Sequence, residues 1–307
     1  MDRWDDLNAA VASVRNQTLP PQEIIVVIDG NQALFERAIR EIASVKVVLN
    51  IKTPGLSGGR MTGAELATEP ILVFLDDDAF AEPDWLEHLM AAYRDERVLG
   101  VGGRAEPLWR SPRPHWFPDE FTWVVGCTFK GMPVDEGGKV QRVIGANMSV
   151  RADVLKRSGG FDSRLGRRDG KTGKLFGAGE ETEFCIRASR LHPNRVWIYC
   201  EHARVHHVVS KQRTTWRYFV RRCWLEGATK ALLTKMIGAR DGLEAERRYT
   251  LTLVGSMLSQ IAAGNPIRAA TMFVGLTITA AAYARGKLGS RVLRCLTISL
   301  SCFLIAI

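Results

Sequence analysis

Apolar and polar positions alternate between helical and strand-like periods over the first hundred residues. Apolar residues recur at helical spacing from Trp4 to Val14, and Pro20 ends this pattern before a continuous β-type run at 23–28. The alternation continues with predicted helices at 32–43, 60–68 and 83–93 and predicted strands at 45–49, 71–75 and 98–101. Strands that are unbroken Val, Ile and Leu runs between helices are typical of a mostly parallel sheet with helices on both faces. The pattern therefore predicts an α/β fold.

The pattern is less regular from residue 104 onward. Residues 104–140 are rich in Pro, Trp and Gly and are predicted to be irregular. Periodicity returns at 141–150 and in a helix from about 179 to 191, and 213–235 has the composition of a basic helix. We therefore expect one α/β domain over residues 1–235.

The remaining region, 236–307, is basic and apolar, and we expect it to be helical and associated with a membrane. From Thr250 to Ala284 its one charged residue is Arg268, and 295–307 is again uncharged. A membrane-spanning helix needs roughly 20 apolar residues, and the unbroken stretches here are at or below the lower limit. Three interpretations stay open: tilted or re-entrant membrane segments, helices in the membrane interface, and buried helices of an oligomer. A basic link between the apolar runs favours contact with the cytoplasmic membrane face. Its residues are Arg285, Lys287, Arg291 and Arg294.

The positive charge is concentrated in the last third of the chain. The composition, 46% hydrophobic and 24% charged, excludes a disordered polar chain. Residues 1–200 carry 26 Lys and Arg against 28 Asp and Glu, 201–250 carry 11 against 5, and 251–307 carry 5 against none. This asymmetry favours a phosphate-bearing ligand or an anionic membrane surface over nucleic acid, because no basic region contains recurring base-stacking aromatics.

Neither the cysteines nor the N-terminus indicates export. The first residues lack the basic and then apolar profile of a signal peptide. The cysteines show neither a C-x-x-C pair nor zinc-site spacing, so reduced thiols are expected. The six positions are Cys127, Cys185, Cys200, Cys223, Cys295 and Cys302.

Acidic residues follow two of the predicted strands. Asp29 follows the first strand, and Asp76, Asp77 and Asp78 follow the strand at 71–75. Ligands of open α/β sheets bind beyond the carboxyl ends of the strands. Three adjacent carboxylates repel one another unless a cation compensates them, and oxygen ligands suit Mg²⁺ or Mn²⁺. An acidic turn before the next helix is the alternative, but it explains one aspartate and not three.

These residues belong to a series of motifs that resembles the family 2 glycosyltransferases. Seven segments occur in the family's order: QTLPPQE at 17–23, VVIDGN at 26–31, GLSGGRMTGAELA at 55–67, FLDDDA at 74–79, IGANMSVRADVL at 144–155, GGFD at 159–162 and GAGEETEFCIRA at 177–188. The resemblance implies a GT-A fold and transfer of a sugar from a nucleotide-diphosphate sugar to a hydroxyl acceptor, with inversion at the anomeric carbon. A membrane-proximal glycan or lipid carrier is the expected acceptor.

The resemblance also implies roles for single residues of the donor site. Asp29 would accept a hydrogen bond from the nucleotide base, and Arg60 would lie near the nucleotide. Asp76 and Asp77 would contact the nucleotide sugar, and Asp76 and Asp78 would hold the divalent cation. Alternatively, Asp29 starts a turn with the following Gly-Asn and Arg60 is a surface arginine.

Further roles fall on residues after the acidic motif. Asn147 would lie beside the acceptor. His206 and His207 are candidate metal ligands, and Lys211 and Arg213 would neutralise the departing diphosphate. The alternatives are an ordinary pair of strand-end histidines and a basic helix that faces lipid.

An acidic pair at a predicted helix start supplies the candidate catalytic base. A carboxylate at a helix N-terminus suits deprotonation of the attacking hydroxyl. The family usually has Glu-Asp at this point, whereas this chain has Glu180 and Glu181, so either glutamate is a candidate. Stabilisation of the helix dipole is the alternative role.

One departure from the family pattern leads to a second hypothesis. The family normally opens with a strand before its first helix, and this chain starts too late to contain that strand. The alternative function is therefore a non-catalytic module that binds nucleotide sugars or glycans. A membrane interaction protein and a nucleotidyltransferase are further alternatives.

Overall fold

The computed structural model of the chain describes residues 3–165, 179–288 and 303–306. Arg291, Arg294, Cys295 and Cys302 lie outside the described residues. The chain forms two compact units. The first unit contains residues 1–105, 136–207 and 293–307, and the second contains 106–135 and 208–292.

Within the residues that the structure describes, the first unit is a sheet with six α-helices. The helices are α1 (Arg3–Arg15), α2 (Gln32–Glu41), α3 (Leu56–Leu66), α4 (Trp85–Ala92), α5 (Ala152–Arg157) and α6 (Glu180–Leu191). The strands are β1 (Ile25–Ile28), β2 (Lys46–Leu49), β3 (Ile71–Asp76), β4 (Ala79–Ala81), β5 (Val98–Trp109), β6 (Lys139–Val140), β7 (Asn147–Arg151), β8 (Val196–Val209) and β9 (Phe303–Ala306). Strands β5 and β8 continue into the second unit. The strand order is β2-β1-β9-β3-β7-β5-β8-β4, and β6 pairs with β8.

The sheet is mixed rather than mostly parallel. β1 and β2 are parallel, whereas β9 lies antiparallel between β1 and β3, and β7 is antiparallel to β3 and β5. The expectation of a mostly parallel sheet is corrected, because burial on both faces gives unbroken apolar runs whatever the direction of the neighbouring strand. Strands β1, β2, β3 and β5 nevertheless run in one direction, so their carboxyl ends lie at one edge of the sheet.

Helices cover both faces of this sheet, as the apolar runs predict. Ile28 of β1 shares a core with Leu7 of α1, whereas Val27 shares a second core with Phe184 of α6. Neighbouring residues of one strand point to opposite faces, so the two cores lie on the two faces of the sheet. This layering fixes the strand ends that carry the candidate site.

The second unit consists of helices around an aromatic core. Its helices are α7 (Trp216–Ile237), α8 (Ala239–Gly242), α9 (Glu244–Ala262) and α10 (Pro266–Lys287), with short 3-10 helices at 119–125 and 211–214. Phe117, Phe121, Phe219 and Met272 are buried in one core. The segment 104–140 is therefore partly regular, since β5 continues to Trp109 and the helix at 119–125 contributes to this core.

The C-terminal region contains one helix that is long and apolar enough to cross a membrane, among the described residues. This helix is Pro266–Leu288 by that criterion. Residues Phe303–Ala306 were expected to be helical. They form strand β9 in the sheet of the first unit instead. The predicted division of the chain at residue 235 stays a prediction, and the two compact units divide the chain at other positions.

Candidate active site

The acidic motif is the turn that connects β3 to β4. Asp76 is the last residue of β3, and Asp78 directly precedes β4. β4 pairs with β8 in a register that places Ala79 opposite His207. This pairing brings His207 to the acidic turn although 129 residues of sequence separate it from Asp78.

Asp76, Asp78 and His207 form a group that fits a divalent cation. One ligand atom from each residue lies within 4.8 Å of the others. The His207 Nε2 atom is 3.2 Å from Asp78 Oδ1 and 4.0 Å from Asp76 Oδ2. Asp76 Oδ1 is buried and accepts no hydrogen bond. Two carboxylates and an imidazole are donors that suit Mn²⁺ or Mg²⁺, so the chemistry of this donor set fits a site for a divalent cation.

Asp77 lies in a different environment from its two neighbours. Its side chain is buried, and Arg3 of α1 donates to both carboxylate oxygens at 2.9 and 3.2 Å. Burial raises the pKa of Asp77 from 3.8 to about 7, and the Arg3 charge opposes this rise. A buried, doubly hydrogen-bonded carboxylate has little surface for a ligand, so the predicted contact of Asp77 with the nucleotide sugar finds no support in this geometry.

His206 and His207 point to different partners. His206 Nε2 makes a short contact with Glu82 Oε1 and is absent from the metal-ligand group. Neighbouring residues of a strand face opposite sides, which explains why the two imidazoles separate. The geometry therefore supports His207 and not His206 as the candidate ligand.

Arg60 connects the acidic turn to the start of α6. Its side chain is 1% exposed, and its Nη1 atom donates to Glu180 Oε1 at 3.0 Å. Its Nη2 atom donates to the Gly145 carbonyl at 3.0 Å and lies 3.6 Å from Asp76 Oδ1. The predicted position of Arg60 near the nucleotide stays a prediction. The alternative of a surface arginine is wrong, because the Arg60 guanidinium is buried among protein groups.

The two glutamates at the start of α6 differ in their surroundings. Glu180 is fully buried, and besides the Arg60 contact its Oε2 atom accepts from the Gly179 N–H at 3.0 Å. Glu181 is partly exposed. Both oxygens of Glu180 are therefore engaged, which leaves Glu181 as the glutamate whose surroundings suit contact with a substrate.

Asp29 is part of a polar network at the ends of β1 and β2. Its Oδ1 atom accepts from Asn50 Nδ2 at 2.8 Å, and its Oδ2 atom accepts from the Gly55 N–H at 2.7 Å. Asn50 Oδ1 also accepts from the Thr62 hydroxyl at 2.8 Å. Asn50 was missed at the level of sequence, although it follows β2 directly and the strand-end rule that finds Asp29 also points to it.

Asn147 is an internal hydrogen-bonding residue in this structure. Its side chain is fully buried, its Oδ1 atom accepts from Trp85 Nε1 at 2.8 Å, and its amide donates to the carbonyls of Arg104 and Ala203. These three bonds connect α4, β5, β7 and β8. The predicted contact of Asn147 with the acceptor finds no support here, because the amide is turned into the protein.

Lys211 and Arg213 follow β8 in the short 3-10 helix at 211–214. Lys211 is exposed, and Arg213 is buried with its Nη1 atom 3.4 Å from the Val208 carbonyl. Their predicted role in neutralising the diphosphate stays a prediction.

A mixed α/β sheet whose central strand ends in two metal-fitting aspartates is the arrangement of GT-A glycosyltransferases. The solved structures agree with this fold. A mannosyltransferase from Pyrobaculum calidifontis, solved with GDP-mannose and Mn²⁺, matches with a TM-score of 0.60 over 94% of this chain and 84% of that one, at 17% identity. This likeness shows the fold.

Sequence comparison adds the family. The Glycosyl transferase family 2 model matches residues 1–159. Glucosyl-dolichyl phosphate glucuronosyltransferase of Haloferax volcanii is 35% identical over 237 residues, which cover 76% of this chain and 74% of the relative. Glycosyltransferase AglE of the same organism is 26% identical over 175 residues, 52% of this chain and 53% of the relative. The chain belongs to glycosyltransferase family 2.

Proposed function

We propose that this protein transfers a hexosyl or hexuronosyl group from a nucleotide-diphosphate sugar to a hydroxyl group of a lipid-linked acceptor, at the cytoplasmic face of a membrane. The observation that carries the proposal is the group of Asp76, Asp78 and His207 at the carboxyl edge of a GT-A sheet. Transfer is by in-line displacement, with inversion at the anomeric carbon.

The donor site is the edge formed by the ends of β1, β2 and β3. Asp29 is partly exposed, unlike the fully buried Glu180, and each of its oxygens accepts one hydrogen bond, from Asn50 or from Gly55. A carboxylate oxygen can accept a second hydrogen bond, so Asp29 presents a fixed acceptor that suits an imide N–H of the base. Asp76, Asp78 and His207 are the residues that would hold a divalent cation, which would supply positive charge to stabilise the leaving diphosphate. Arg60 adds a positive charge 3.6 Å from Asp76 and keeps the carboxylate oriented.

Glu181 is the catalytic base of this proposal. It stands in the first turn of α6, where the helix dipole favours a carboxylate. Glu180 fixes the position of that turn through its bonds to Arg60 and to the Gly179 N–H. Glu181 takes the proton of the acceptor hydroxyl as the oxygen attacks the anomeric carbon and the bond to the diphosphate breaks.

The relatives support the choice of acceptor. The name of the Haloferax volcanii relative describes transfer of glucuronosyl to glucosyl-dolichyl phosphate, and that protein aligns with three quarters of this chain. The basic and apolar character of 247–288, with five basic residues and no acidic residue, fits a substrate held at a membrane.

A donor panel with product detection tests this function. Purified protein is incubated with Mn²⁺, a polyprenyl-phosphate glucoside and one of UDP-glucose, UDP-glucuronic acid, UDP-N-acetylgalactosamine or GDP-mannose. We expect one donor to yield nucleoside diphosphate and an elongated lipid. Binding of a donor without any product would instead favour the non-catalytic module.

Two glutamate variants separate catalysis from folding. Glu181→Gln keeps the size of the side chain and removes the base, so we expect turnover to fall by a factor of about 100 or more with donor binding unchanged. Glu183→Gln is the matched control, because Glu183 lies in the same turn and bonds Arg187 at 2.7 Å through both oxygens. Full turnover by Glu181→Gln would remove Glu181 from this role.

A further inference from the structure

Helices α9 and α10 expose an apolar surface that nothing else in the described chain covers. Leu251, Val254, Leu258 and Ile261 of α9 are 77, 54, 65 and 57% exposed, and their spacing of three, four and three residues places them on one helix face. On α10, Ile267 and Phe273 are 54 and 63% exposed. Isolated exposed apolar residues are ordinary, but a continuous stripe of large ones marks a contact surface.

The charges around this surface are mainly basic, and the two acidic residues of α9, Glu244 and Glu246, stand in its first turn. Residues 247–288 contain five basic residues and no acidic residue. Arg247, Arg285 and Lys287 are exposed at the open end of the α9–α10 hairpin, and Arg268 lies near its connection and donates to the His115 carbonyl at 3.0 Å. Arg248, also at the open end, pairs with Asp135. Basic residues at both ends of an uncharged stripe complement the phosphates of an anionic lipid surface.

The packing of α10 argues against a membrane span. One face of α10 lies along α7: Thr279 donates to the Cys223 carbonyl at 3.2 Å, and Lys235 donates to the Gly286 carbonyl at 2.7 Å. A Cβ atom on Gly227 of α7 would stand 2.1 Å from the Thr279 carbonyl, so the helices are in direct contact. α7 carries six charged residues. Hydrocarbon around α10 would either surround these charges or separate the helices.

Buried ion pairs tie α7 to α9 as well. Lys230 of α7 is 5% exposed, and its Nζ atom lies 2.6 Å from Glu246 of α9 and 3.3 Å from Glu226. The hairpin is therefore attached to a charged helical bundle along one side and is uncharged on its outer side. This division matches a helix pair that lies in the interface rather than one that crosses the bilayer.

We infer that the α9–α10 hairpin is an interfacial anchor, whose outer apolar faces enter the headgroup and upper acyl region of one leaflet of an anionic membrane. The inference rests on the membrane location in the proposed function and specifies how the contact is made. By the usual depth of such helices, the stripe enters roughly 5–10 Å below the surface. The basic residues at the ends of the hairpin contact lipid phosphates.

Flotation with vesicles tests the anchor. Full-length protein is mixed with vesicles of phosphatidylcholine alone or with phosphatidylglycerol, floated on a gradient, and then washed with alkaline carbonate. We expect flotation with the anionic vesicles, weaker flotation with the neutral ones, and release by carbonate. Retention after carbonate would show a spanning segment and overturn the inference.

One pair of variants is closely matched. Ile267→Glu places a charge on the proposed surface, and Ile39→Glu places the same charge on α2 of the first unit, where the isoleucine is also 54% exposed. We expect Ile267→Glu to lower the partition coefficient about tenfold or more, because it removes an embedded aliphatic group, and Ile39→Glu to leave it unchanged. Ile267 stands in the first turn of α10, where an acidic residue favours the helix, so this variant is expected to fold.

The remaining outcomes also decide the question. Equal flotation of Ile267→Glu and wild type would overturn the inference. A wild-type protein that is dimeric without lipid, together with a monomeric Ile267→Glu variant, would also overturn it, since a second copy would then cover the surface. Flotation of Asp78→Ala separates this inference from the proposed function. If wild type and Asp78→Ala float equally but wild type turns over no donor, the proposed function is contradicted and the anchor is not.

Discussion

Replacing Arg60 by methionine should lower the free energy of unfolding of the first unit by more than the loss of an exposed ion pair would. Methionine retains most of the apolar stem and removes the guanidinium. Glu180 then keeps a buried carboxylate without its cationic partner, and the Gly145 carbonyl and Asp76 lose the same neighbour.

The magnitude follows from burial. The Arg60 and Glu180 side chains are 1% and 0% exposed, so solvent cannot replace the lost contact. Breaking a buried pair by removal of one partner costs about 3–5 kcal/mol. A natural domain has a free energy of unfolding of about 5–15 kcal/mol, so the loss is a large fraction of the total.

Denaturant unfolding of four proteins measures this coupling. They are wild type, Arg60→Met, Glu180→Gln and the double variant, and we expect the double variant to be less destabilised than the sum of the single variants by about 1–3 kcal/mol. Arg164→Met is the control, because its pair with Asp162 is local and the Arg164 side chain is 73% exposed. A loss below about 1 kcal/mol for Arg60→Met, or additive single variants, would refute the argument.

Three further predictions follow from buried contacts. A Cβ atom on Gly145 would stand 2.5 Å from Arg60 Nη2, so Gly145→Ala should lower both the denaturation midpoint and donor turnover, and unchanged values would contradict this contact. Asn147→Asp places a carboxylate against the two carbonyls that the Asn147 amide now contacts, so its free energy of unfolding should fall by about 1–3 kcal/mol in denaturant unfolding. The KM for acceptor should be unchanged in the fraction that stays folded. Burial raises the pKa of Cys223 to about 12, above the usual value near 8.5. The Cys223 thiol of the folded protein therefore stays protonated as the pH rises, and formation of its thiolate opposes folding. Iodoacetamide at pH 9 should therefore modify partly exposed Cys200 before Cys223, as read by mass spectrometry, and equal rates would contradict the burial.

The layered α/β fold was predictable because its signal is local. The apolar runs of β1 and β3 are visible in the sequence, and the acids that follow them are visible too. No bounds were predicted for strand β8, and a strand that ends at the histidine pair was only an alternative, since the 14 residues of β8 include several charged and polar ones. Its pairing with β4 places His207 at the acidic turn, and this depends on contacts between distant parts of the chain.

The candidate site was predictable in residue types but not in partners. Arg60 and Glu180 are 120 residues apart, and no local pattern indicates that they form an ion pair. The same limit applies to Asn147, whose amide is used by Trp85 and two carbonyls rather than displayed to a substrate. His206 and His207 are adjacent residues of the same type, and only the alternation of side chains along β8 distinguishes the candidate metal ligand from its neighbour.

The cation site is tested most directly by calorimetric titration of Mn²⁺ in the presence of UDP or GDP. We expect Mn²⁺ to bind to wild type and to His206→Ala, and its affinity to fall about a hundredfold in His207→Ala and Asp78→Ala. Mn²⁺ affinity of His207→Ala equal to that of wild type, or a loss confined to His206→Ala, would contradict the assignment of Asp76, Asp78 and His207 as its ligands.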